Sequence, residues 1–199
     1  MPNTGLTDGV TVLNSSLWDT MVREQVTVTC TSGTRPTNVE GRLIYETDTN
    51  TILLGTGSGT NWIVMDEDPQ SFTPAWGGIT EGNATNTGYY RRSGGYVDVV
   101  ASIVFGSTTS VTGSVTLGLP KTMYSALEYL ANVTLLDASV GYYPGHVSPT
   151  SSTAYNIYAL NTAGTYIAPA SISSTVPFTW ITTDGIFVMA RYRMANRYG

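Results

Sequence analysis

The sequence predicts a mainly β protein: a short N-terminal helix, a small β-meander, then an antiparallel β-sandwich of jelly-roll type. Three observations lead there. Only 12% of the residues are charged, while Thr, Ser, Gly, Val and Tyr recur throughout, the vocabulary of strands and tight turns. Short apolar-alternating runs are separated by Gly, Pro, Asn and Asp turn signals. Helical periodicity is clear in a single stretch. At 199 residues and 41% hydrophobic, the chain has enough apolar side chains for a core.

That stretch is "NSSLWDTMVREQV", where Asn14 or Ser15 caps and Leu17, Trp18, Met21 and Val22 recur at helical spacing. A helix of about three turns is marginal alone, so its stripe needs a surface to dock on. "QVTVTC" alternates as a strand, and Gly33 and Pro36 break it, placing a first boundary at residue 35. In "GRLIYETDTNTILLGTGSGTNWIVM", three strands are joined by "TDTN" and "GTGSGT". Leu43, Tyr45, Leu53 and Trp62 are its expected contact residues, because so small a meander needs a neighbour, here another chain, to bury its face. "DEDPQ" closes this connector at residue 68. Over 69–199 the expected strands are "TGYYRRSG", "GYVDVVASIVFG", "GSVTLGLP", "NVTLLDASV", "TAYNIYAL", "FTWIT" and "GIFVMARYRM", with a helical turn or a crossing connection at "KTMYSALEYLANV".

Charge and chemistry exclude several classes. Nine Lys and Arg against fourteen acids, a net charge of -5, do not suit a nucleic-acid binder. The terminal Arg191, Arg193 and Arg197 read as a solvated edge strand. No signal pattern opens the chain and no run reaches the roughly 18 apolar residues of a membrane span, so no membrane partner is expected. One Cys and one His leave no disulfide framework and no catalytic zinc set. His146 has no serine elbow to serve as base for, and "GTGSGT" lacks the Lys of a phosphate loop. Asp48 with Asn50, and Asp66 with Glu67 and Asp68, are oxygen-rich, yet such residues in tight turns usually bond their own backbone, so no metal or cofactor is expected. Among Glu81, Asp98, Glu128, Asp137 and Asp184 no carboxylate pair of glycosidase type is evident, and no catalytic residue is assigned. The candidate binding region is "GYYPGHVSPTSSTAYNIYAL", a Pro/Gly loop in which Tyr142, Tyr143, His146, Tyr155 and Tyr158 offer aromatic faces to a glycan or a protein.

"CTSGTRPTNVEGRLIYETDTNTILLGTGSGTNW", with Arg35, Pro36, Glu40, Gly41 and Trp62, resembles a short module in fibre-like structural proteins of tailed phages of actinobacteria. "TDGVTVLNSSLWDTMVREQVTV" is similar to the segment before it, and "TGYYRRSGGYVDVVASIVFG" with "VPFTWITTDGIFVMARYRM" to the sandwich that follows. The resemblance implies a non-enzymatic virion component made in the host cytoplasm, of minor tail, tail-fibre or capsid-fibre type, and homotrimeric. Its implied parts are a docking segment over 1–35, a connector over 36–68 and a display domain over 69–199 that contacts the bacterial surface. A capsid decoration protein stabilising the head is the alternative, and an envelope-glycan hydrolase a third reading. The family supplies no catalytic residues. A marginal helix and an undersized meander also ask for partner surface, which symmetric association supplies.

Overall fold

The computed structural model describes residues 27–161, 164 and 166–198. Among them no helix occurs, and the mainly β expectation holds. The predicted helix with Leu17, Trp18, Met21 and Val22 lies outside the described residues. The described chain forms two compact units, one ending at Ile63 and the other spanning Val64–Tyr198.

In the first unit, β1 (Val28–Cys30) pairs in parallel with β2 (Leu43–Glu46), and β2 pairs antiparallel with β3 (Thr51–Gly55). The turn between β2 and β3 has Asn50 at φ 47°, and its side chain accepts a hydrogen bond from the Tyr45 hydroxyl at 2.8 Å. Asp48 instead bonds across to another loop, accepting from the Ser32 backbone N–H at 2.9 Å and its hydroxyl at 2.6 Å. These bonds hold the Asp48 carboxyl below the usual carboxylate range. Asn38 clamps the "GTGSGT" reversal, accepting from the Thr56 and Gly57 backbone N–H groups and donating to the Asn61 carbonyl. Gly57 and Gly59 sit there at φ 72° and 50°, a conformation that costs glycine little.

The four residues expected to contact another chain differ in burial within this one. Leu43 and Tyr45 do share a face of β2, but Leu43 is exposed and Tyr45 half-buried, while Ile44 and Glu46 are the buried pair. Leu53 and Trp62 are buried within the single chain, without a second one. Glu46 can face inward because the Arg35 guanidinium pairs with it and the Thr49 hydroxyl donates to it at 2.9 Å.

The second unit contains the end of β4 (Trp62–Glu67), then β5 (Gln70–Phe72), β6 (Trp76–Thr80), β7 (Thr85–Ser93), β8 (Tyr96–Val104), β9 (Ser110–Gly118), β10 (Tyr129–Asp137), β11 (Gly141–Ser151), β12 (Ala154–Asn161), β13 (Ala168–Ser171) and β14 (Gly185–Arg193). One hydrogen-bonded sheet runs in the order β7, β8, β14, β10, β11, β12, β9, β6, with β4 and β5 on the outer side of β7 and β13 beside β12. β11 carries the sheet around a corner: Gly141 to Gly145 pair with β10, and Gly145 to Ser151 with β12. Tyr155 on β12 and Tyr192 on β14 show the result. Three strand spacings of a flat sheet would separate them by about 14 Å, yet their ring centroids lie 6.4 Å apart, edge to face. The sheet has folded over one core, to which β8, β9, β10, β12 and β14 each contribute alternate residues. Gly145 permits the corner, since a Cβ there would stand 2.6 Å from a Val133 methyl.

Three sequence readings change. Residues 141–151, read as a loop, are a strand, with Pro149 at a bulge in its pairing with β12. "FTWIT" forms no strand: Trp180 stacks on Phe105 at 5.0 Å and donates through Nε1 to the Ser173 carbonyl. β14 is no edge strand but lies between β8 and β10.

Candidate functional site

The aromatic candidates divide between two faces. Tyr142 and His146 alternate outward along β11, with Tyr142 75% exposed. His146 opposes Tyr158 across to β12, their rings 6.2 Å apart, and the Tyr158 hydroxyl takes a hydrogen bond from Asn156. Tyr143 points the other way and packs on Phe178 at 5.1 Å, half-buried. Tyr155 is removed from the binding set, because it is fully buried beside Tyr129 and Tyr192. Strand alternation explains the split, which a loop reading could not show.

Burial pushes the Tyr155 and Tyr192 phenols well above the ordinary tyrosine value. The Tyr192 hydroxyl donates to the Lys121 carbonyl at 2.8 Å, whereas that of Tyr155 finds no partner among the described residues. A buried unpaired hydroxyl costs free energy that its loss returns. Tyr155→Phe is therefore expected to leave stability unchanged or raise it by up to about 1 kcal/mol in a denaturant titration. Tyr192→Phe, which loses a made bond, should lower it by about 1 kcal/mol.

The acids are engaged by neighbours that hold the fold. Arg91 grips Asp66 with both oxygens within 2.6 Å, Arg92 pairs with Glu67, Arg191 with Asp98 and Arg193 with Glu128. Asp137 accepts from the Ser139 backbone and hydroxyl, and Glu81 from Asn86. Glu128 precedes β10 and Asp137 ends it, so nine strand residues hold them about 30 Å apart. That is far beyond the 5 to 10 Å of a glycosidase pair.

Sequence reading passed over the outward face of β8, β14 and β10. There Val100 opposes Met189, and Leu130 opposes Arg191, in adjoining pairs across three strands. Val100, Met189 and Leu130 are 48%, 63% and 76% exposed. They line an apolar groove of about 630 Å³, to which Asp98, Asn132 and Arg191 contribute polar side chains. The signal was present as apolar residues of the wrong parity for the core, but becomes a patch only once these three strands are neighbours.

No family model matches the chain, and no curated protein is similar to it. A solved structure, that of the Dettilon tailspike protein (gp208), is similar at 14% identity and a TM-score of 0.40, over 63% of this chain and 23% of that one. The chain thus spans under a quarter of the tailspike's length.

Proposed function

We propose that the chain is a non-enzymatic structural protein of a phage particle, of minor-tail or fibre type. Its folded sheet is displayed for attachment to the host surface, and the residues before it dock on other virion proteins. The observation that supports this reading most is the apolar outward face of β8, β14 and β10. A sheet with one face on the core normally turns polar side chains to water on the other. A contiguous exposed apolar patch marks an association surface instead. Its occupant is a second copy of this chain. Asp98 lies beside both Arg91 and Arg191 in the strand register, so the rim carries both signs and can meet itself around a symmetry axis. The homotrimer implied by the resemblance uses this face.

The test is mass in solution. Wild type is expected as a trimer and the Leu130→Lys, Met189→Lys double variant as a folded monomer; a monomeric wild type at micromolar concentration would remove the trimer. Imaging of the intact particle separates the two roles, since tail density supports attachment, whereas density spread over the head points to capsid decoration.

A further inference from the structure

The terminal arginines marked by the sequence are unevenly matched. Arg191 faces Asp98 at 3.7 Å and Arg193 faces Glu128 at 3.3 Å. Arg35, Arg91 and Arg92 also have acidic partners, but among the described residues Arg197 has none. Arg197 lines a cleft of about 360 Å³ beneath the β7–β8 turn, with Tyr96, Tyr124, Arg193, Asn196 and Tyr198. That volume lies within the range of small-ligand sites.

The cleft is preformed. The Met194 N–H donates to the Gly95 carbonyl and the Ala195 N–H to the Thr122 carbonyl, both at 2.9 Å. The Asn196 side chain accepts from the Tyr198 N–H at 3.0 Å. The chain after β14 is thereby fixed between the β7–β8 turn and the loop before β10. Tyr96, Tyr124 and Tyr198 are 42%, 56% and 42% exposed, so aromatic surface is open to a ligand. The Arg193 guanidinium lies over the Tyr124 ring, 4.1 Å from its centroid, and that of Arg191 over the Tyr96 ring at 5.1 Å, which fixes each charged group against one face of its ring.

Two kinds of recognition meet here. Tyrosine rings suit the apolar C–H face of a sugar, and their hydroxyls its polar edge. Guanidinium groups bind carboxylates through paired N–H donors, and Arg193 reaches Glu128 through Nη1 alone. We propose that this cleft binds a carboxylate-bearing pyranose, such as a hexuronate residue of a polysaccharide. Arg197 and the remaining donors of Arg193 take the carboxylate, and the tyrosines take the ring. A net charge of -5 provides no long-range attraction for a polyanion, so selection rests on contacts inside the cleft. The proposal deepens the attachment reading and rests on it for its biological role only: particle imaging tests that role, whereas a soluble saccharide tests the cleft.

The experiment is calorimetric titration of the full chain with a glucuronic acid tetramer, a glucose tetramer and inorganic phosphate. The hexuronate is expected to bind at least about tenfold more tightly than the other two. Arg197→Ala and Tyr124→Ala should each weaken it about tenfold, with Arg197→Lys intermediate. Both positions are exposed, so an unchanged unfolding temperature checks that each variant is folded. Absence of hexuronate binding by wild type would overturn the proposal. So would equal affinity for glucose or phosphate, or full affinity in both the Arg197→Ala and Tyr124→Ala variants.

Discussion

Replacing Asp184 with Ala is expected to lower the unfolding free energy by about 3 kcal/mol, the cost of stripping charge-assisted acceptors from two backbone donors, and the unfolding temperature by roughly 10 °C. Asp184 is fully buried, and its carboxylate joins two turns that are far apart in sequence. Oδ1 accepts from the Ala138 N–H at 2.9 Å, in the β10–β11 turn. Oδ2 accepts from the Ile181 N–H at 2.6 Å, in the turn leading to β14. The Asp184 carbonyl accepts from Phe105, the residue on which Trp180 stacks, so the same corner also anchors the aromatic cover. Alanine keeps the backbone bonds and removes both carboxylate bonds. Asn, with one acceptor and an N–H₂ aimed at a second N–H, should lose about half as much. Denaturant unfolding of the three proteins measures the series; a loss below about 1 kcal/mol for Asp184→Ala would show that water replaces the carboxylate without penalty.

How much of this was legible in the sequence depended on what each element buries. β8, β10, β12 and β14 alternate cleanly because each turns one face to the core, and their residues could be recognised one strand at a time. β11 was hidden by Pro144, Gly145 and Pro149, which signal a loop locally; the fold needs them because this strand bends from one partner to another. β6 was hidden by Gly77 and Gly78, where the register with β9 shifts and Gly78 adopts φ 71°. "FTWIT" erred in the opposite direction, its apolar run being an aromatic cover and not a ladder. On β2 Leu43 and Tyr45 share a face as read, but the burial of Glu46 on the other was not legible, because a buried Glu46 is intelligible only with Arg35, whose approach no local pattern encodes. The same limit applies to the sites. Tyr142 and His146 are exposed as aromatic candidates should be, but the Tyr96, Tyr124 and Tyr198 cleft joins residues from the start of β8, the loop before β10 and the segment after β14.

The neighbouring acids Asp66 and Glu67 should respond very differently to the same change. Consecutive strand residues face opposite sides, and so do their partners Arg91 and Arg92 on β7. Asp66 and Arg91 are 40% and 47% exposed, so water competes for both and removal of Asp66 should cost at most about 1 kcal/mol. Glu67 is 2% exposed and Arg92 19%, with Nη2 and the carboxylate 2.6 Å apart. Glu67 also accepts from the Arg92 backbone N–H at 2.9 Å and from Nε at 2.8 Å. Its removal therefore strands a largely desolvated guanidinium and a backbone donor together, at an expected cost of about 3 to 5 kcal/mol. Glu67→Gln keeps an acceptor for the N–H and loses the charge, placing it between the two. Added calcium should leave all four proteins at their own unfolding temperatures, because a cation at "DED" would have to displace both arginines. Equal losses for Asp66→Ala and Glu67→Ala would mean that burial does not separate the two pairs, and a calcium-dependent rise in wild type would restore the acids as ligands.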